Sequence, residues 1–170
     1  MSLAKDANVC MSVKNPLSDF EVREKVVLNP SEYVEDDDDT NTREPPCHFK
    51  ISWEGNKKRS TMEVLSDSTI KTLLKKKKKG KKNNKNDDEI IPREMTADDS
   101  NSWVPVLALE CRGVEPYQFH PMGSEFIVIS EGGTKFDSDI DLDEGDWADY
   151  DADHDISVSI SEFESKFITV

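Results

Sequence analysis

Cysteine is scarce in this 170-residue chain, and its spacing is wrong for paired chemistry. The chain has three, Cys10, Cys47 and Cys111, and no two of them stand three residues apart. That excludes a C-x-x-C thiolate pair, and an odd, widely scattered set does not make a disulfide framework. Long apolar runs are missing as well: none approaches the length needed to cross a bilayer. The stretch Met1-Ser2-Leu3-Ala4-Lys5-Asp6 carries no apolar signal core. The expected location is a reducing compartment, cytoplasmic with the nucleus as alternative, and no membrane partner is expected. A Gly-rich phosphate loop and a spaced His and carboxylate set are also lacking, so the chain does not read as an enzyme.

Apolar residues are few: the hydrophobic share is 35% against 34% charged, which leaves material for one core. A single β-rich domain over residues 1–170 is expected, with part of the chain outside that core. The net charge of −14 hides a sorting into blocks of opposite sign. Glu35 to Asp39 is an acidic run followed by Pro45-Pro46, so residues 35–46 read as an acidic, proline-bounded loop. Lys75, Lys76, Lys77, Lys78, Lys79, Lys81 and Lys82 form a basic run with no aromatic and no periodicity. Such a run buries too little area to offset its ordering entropy, and residues 72–94 read as a disordered basic insertion. Its functional reading is a weak polyanion contact through counterion release, or association with nucleic acid. No Arg fork or aromatic stacker accompanies the lysines, which favours a simple low-complexity insertion.

The hydropathy pattern is mostly that of strands. Residues 47–53 and 61–65 alternate and predict an antiparallel hairpin turned at Glu54-Gly55-Asn56. Residues 104–111 are more uniformly apolar, which predicts a strand buried on both faces with Pro105 at its end. Residues 125–130 form another apolar strand, and residues 156–168 alternate most cleanly of all. Helix is expected only as a turn or two from Asp67 to Leu74, capped by Ser66 or Asp67. The fold class that follows is all-β, mostly antiparallel, as a sandwich or folded-over sheet.

Two local patterns invite chemistry. Asp151, Asp153 and Asp155 alternate as in a calcium loop, but position six holds β-branched Ile156 where such a loop needs Gly, so weak cation condensation is the expected limit. Cys111 beside Arg112 has only His120 nearby as a base, and its place at the end of an apolar strand makes it core rather than nucleophile.

Three blocks occur in order: Glu110-Cys111-Arg112-Gly113-Val114-Glu115-Pro116, then Gly133-Thr134-Lys135-Phe136 with Ile140-Asp141-Leu142, then Asp146-Trp147-Ala148-Asp149-Tyr150-Asp151. On these the chain resembles the eukaryotic CXXC-motif zinc-binding proteins, with residues 103–170 as the best-matching core. The resemblance implies a β architecture, a structural zinc held by two C-x-x-C pairs, and no attached reaction. It places Trp53 and Asn56 where the second pair falls, and Pro16 and Asp19 near the first. Neither Trp nor Pro ligates a metal.

The expectation is therefore a divergent member without the family's zinc site and with no cofactor, a non-catalytic monomer that binds a protein partner. Glu110, Arg112, Trp147, Asp149 and Tyr150 form its expected interaction surface, with Arg112 pairing to Glu110, Glu115, Asp146 or Asp149. The resemblance also leads to the expectation that the strands before the first metal turn are shortened. A rebuilt metal site from Cys10, Cys47 and His48 is the alternative. Adjacent side chains on an extended strand point to opposite faces, which reduces Cys47-His48 to a buried thiol beside a surface imidazole.

Overall fold

The computed structural model describes residues 1–18, 20–34, 45–78 and 90–170; the side chains of residues 76–78 are not described. Its strands are β1 (Ser2–Leu3), β2 (Val9–Lys14), β3 (Val22–Leu28), β4 (Phe49–Ile51), β5 (Ser60–Val64), β6 (Leu109–Arg112), β7 (Glu115–His120), β8 (Phe126–Ile129), β9 (Lys135–Phe136), β10 (Trp147–Asp151) and β11 (Ile156–Ile160), with one α-helix, α1 (Asp67–Lys78), and one short 3-10 helix (Ala97–Asp99) among the described residues. They assemble into antiparallel sheets ordered β3-β2-β7, β4-β5-β6, β1-β8-β9 and β10-β11. The fold is mostly antiparallel β, as the alternation predicts.

Strand β2 organises the first core. It is central in its sheet, and Val9, Met11 and Val13 alternate onto one face, where they meet Leu28, Trp53, Met62 and Val114. Val26 of β3, Phe49 and Ile51 of β4, Val64 of β5, Leu109 and Cys111 of β6 and Phe119 of β7 pack around them. Two three-stranded sheets thus share one apolar interior, the sandwich solution to the problem of two half-apolar faces. A second core joins Phe126 and Val128 of β8 to Ile140 and Leu142, with Phe136, Trp147, Val158, Ile160 and Phe163 against it. Phe119 packs against both cores and meets Phe126 edge-on at 6.1 Å.

The strands before the first turn are β1, with two residues, and β2, with six. The alternation signal is weak there because β2 is buried on both faces, Cys10 and Ser12 included. Three sequence expectations need correction. The expected buried strand at 104–111 pairs only over Leu109–Arg112, half-buried. Upstream the chain runs irregularly, with Ala108 and Pro105 accepting hydrogen bonds from Leu65 and Arg93.

The clean alternation from residue 156 stops at Ile160 because Glu162 takes a left-handed φ of 54° and the chain turns. That turn lets the Phe163 amide reach the Gly145 carbonyl at 2.8 Å and drops Phe163 onto the second core. Finally, α1 runs to Lys78, longer than the expected turn or two, with the Ser66 hydroxyl accepting the Thr69 amide at its start and Ile70 buried. Of the basic insertion at 72–94, residues 72–78 therefore finish α1, residues 79–89 lie outside the described residues, and Arg93 already rejoins the fold. Of the acidic loop at 35–46, residues 35–44 lie outside the described residues.

Candidate functional site

The two turns singled out by the sequence meet in space. Between β2 and β3, Asn15 organises the first: its side-chain oxygen accepts the Leu17 amide at 3.0 Å, and its backbone amide donates to the Glu21 carbonyl at 2.9 Å. Between β4 and β5, the second turn places Gly55 at φ 76° and closes with the Asn56 amide on the Trp53 carbonyl at 3.2 Å. Glu21 touches both turns. Its Oε2 accepts the Asn15 side-chain amide at 2.6 Å, and its Oε1 accepts the Glu54 backbone amide at 2.9 Å.

Below this contact Trp53 is buried, 2% exposed, and its indole N–H donates to the Gly113 carbonyl at 2.9 Å. The same carbonyl accepts the Ser60 hydroxyl at 2.7 Å. Gly113 needs its lack of a side chain: it sits at φ 69°, and an added Cβ would lie 2.6 Å from the Ser60 oxygen. The glycine of the Glu-Cys-Arg-Gly block thus anchors the second turn from across the fold. The Arg23 guanidinium lies 5.7 Å from the Trp53 ring centre. Of the four positions aligned with the family's ligands, Pro16 belongs to the first turn and Trp53 and Asn56 to the second, while Asp19 lies outside the described residues.

The three residues of the alternative metal site are placed differently. Cys10 is buried on β2, while Cys47 and His48 are buried just ahead of β4 in the other sheet. His48 is not a surface imidazole. It is 5% exposed, its Nδ1 accepts the Val64 amide at 2.9 Å, and Tyr33 covers it at a ring separation of 4.4 Å. Among the described residues no three His, Cys, Asp or Glu side chains converge to hold an ion. Burial pushes the Cys111 thiol up to about 11, with Glu110 and Glu115 adding to it, so it stays protonated at neutral pH. His120, the one candidate base, engages the Ser12 hydroxyl at 2.7 Å instead.

The expected interaction surface divides between two sheets. Arg112 donates through Nε and Nη2 to Glu110 on its own strand, at 2.9 and 2.6 Å, while Glu115 faces Lys14 at 3.5 Å and Asp146 accepts the Glu162 amide. Trp147 is half-buried, edge-on to Phe136 at 5.6 Å, and so acts as the lid of the second core. Asp149 and Tyr150 are exposed on β10, with the Tyr150 hydroxyl donating to Asp155. Lys75 is exposed on α1, Lys76–Lys78 continue the helix, and Lys79, Lys81 and Lys82 lie outside the described residues.

Sequence reasoning missed the role of Asp151. The pattern offered it as one of a row of solvated carboxylates, but it is 1% exposed and caps the β10–β11 hairpin. Its side chain accepts the Ser130 hydroxyl at 2.6 Å and the Asp153 and His154 backbone amides, with His154 Nδ1 at 3.0 Å. The Ser130 hydrogen bond, helped by Thr134 and His154, holds this carboxyl down at about 2. A depressed carboxyl stabilises the fold above its ordinary value of 3.8 and loses that contribution as pH falls through about 2. Thermal unfolding followed from pH 5 downward is expected to show this loss in the native chain and a flatter profile in Asp151→Asn. Parallel profiles would remove the carboxylate from that role.

Residues 1–168 match the family described as CXXC motif containing zinc binding protein, eukaryotic, and the chain belongs to that family. It is 44% identical over 73 residues to the UPF0587 protein CG4646 of Drosophila melanogaster, covering 43% of this chain and 44% of that one. It is 40% identical over 72 residues to the human CXXC motif containing zinc binding protein, covering 42% and 44%. The matched stretch therefore spans less than half the length of these curated relatives. A solved structure titled "Crystal Structure of C1orf123" superposes with a TM-score of 0.67 at 22% identity over 95% of this chain and 84% of that chain. A hypothetical protein from Plasmodium falciparum gives 0.65 at 21% identity, covering 95% and 90%. At these identities the likeness is one of fold. No helix among the described residues is long and apolar enough to cross a membrane.

Proposed function

We propose that this chain is a non-catalytic, protein-binding member of its family that has given up the structural zinc while keeping the scaffold. The observation that carries the metal part of this reading is Trp53, which stands where the resemblance puts a ligand, is buried, and has its only polar side-chain atom donating to Gly113. An indole N–H so engaged has no lone pair for an ion. The residues present do not fit a tetrahedral thiolate site: Pro16 offers no donor, and both Glu21 carboxylate oxygens already accept hydrogen bonds.

The non-catalytic part rests on the Cys111 thiol, which burial holds protonated, and on His120, whose Nε2 engages the Ser12 hydroxyl. Of the expected interaction surface, the groups exposed enough to meet a partner are the Glu110–Arg112 pair and the Asp149–Tyr150 step of β10. Elemental analysis of the purified full chain is expected to give well under one zinc per chain. Thermal unfolding is expected to be indifferent to a strong chelator. Stoichiometric zinc whose removal lowers Tm would overturn the proposal.

A further inference from the structure

The family resemblance implies an ion between two turns; with that ion lost, something else must resist their separation. We infer that the Glu21 carboxylate is the substitute clamp, a hydrogen-bonded bridge that couples the Asn15 turn to the Glu54 turn without metal. This rests on the reading that the zinc site is lost.

The donors make the assignment specific. Asn15 cannot turn its amide around, because its oxygen is fixed by the Leu17 amide, so its NH2 faces Glu21 Oε2. The second partner is a backbone N–H, which only donates. Two donors from two turns converge on one side chain, and among side chains of this length only a carboxylate accepts from both at once. Charge-assisted hydrogen bonds of this kind are roughly twice as strong as neutral ones.

The bridge is also seated on both sides. Glu21 immediately precedes β3, and its own carbonyl accepts the Asn15 amide, so it is fixed to the first turn by backbone as well as side chain. Glu54 immediately follows Trp53, whose ring is fixed by Gly113 and flanked by Arg23 two residues beyond Glu21. A small shift of either turn would break the Oε1 or the Oε2 contact. The two hairpin ends therefore move as one unit.

The test uses hydrogen exchange at the Glu54 amide in the full chain, with amides of β10–β11 as internal control. Glu21→Gln keeps size and shape but presents an NH2 to one of the two donors. It is expected to raise Glu54 exchange at least tenfold, well beyond any change at the hairpin amides, which report global stability, and to lower Tm by about 5 °C. Asn15→Asp provides a second variant should Glu21→Gln fail to fold. It retains the oxygen for Leu17 but sets a carboxylate against Glu21, and is expected to accelerate the same amide at neutral pH with relief as pH falls. Wild-type exchange at Glu54 in a folded Glu21→Gln chain, or in Asn15→Asp, would overturn the clamp while leaving a metal-free wild type as before. A zinc-loaded wild type would overturn the loss of zinc itself, and these results are separable because metal content is measured on the unmutated chain.

Discussion

Trp53→Ala is expected to destabilise the chain by about 3–5 kcal/mol, the range for deleting a fully buried large aromatic. Three effects add in that figure. The ring fills the first core beside Met11, Met62 and Val114, so its removal leaves a cavity between two sheets. The Gly113 carbonyl loses one of its two donors, keeping only the Ser60 hydroxyl. The Glu54 turn loses the anchor directly beneath it. Trp53→Phe separates these contributions: it preserves most of the apolar volume and removes the N–H, so it is expected to cost about 1 kcal/mol. Urea unfolding of both variants checks the order. Equal losses for Phe and Ala would mean that the indole hydrogen bond, not the packing, holds this region.

Ile140→Ala in the second core is expected to cost about 2–5 kcal/mol, since the residue is fully buried among Phe126, Val128 and Leu142. Its wider consequence concerns cooperativity. Phe119 packs against both cores and meets Phe126 edge-on, so loosening the second should be felt in the first. Exchange at the Met62 amide in the first core and the Val128 amide in the second is expected to accelerate by a similar factor, as in a two-state unfolding unit. Acceleration confined to Val128 would show two independently unfolding halves.

Much of the β character was legible because alternation survives where one face of a strand is wet. The 47–53 and 61–65 segments form the antiparallel hairpin that their pattern implies, with Phe49 opposite Met62 and Ile51 opposite Ser60. The signal failed in two opposite situations. In β2 a central strand with both faces covered carries no polar rhythm, so its importance stayed hidden. In residues 161–168 the rhythm continues past the strand's end, because a turn at Glu162 sends Phe163 into one core while Phe167 packs on the other. Cys111 was read correctly as a packed thiol, whereas His48 was not, since nothing in Cys47-His48 reveals that Tyr33 will cover it.

The site divides along the same line. Residue chemistry alone bounds the metal chemistry: three cysteines cannot supply four thiolates, and a tryptophan or proline side chain does not ligate an ion. The three ordered blocks likewise fixed the family from sequence. The proposed Glu21 clamp was decided by the tertiary structure, because Asn15, Glu21, Glu54, Trp53 and Gly113 come from three separate stretches of chain and meet only after the two sheets close. A hydrogen bond requires its partners within about 3 Å. Residues 21 and 54, or 53 and 113, come that close through folding, and no local pattern in the sequence records such a meeting.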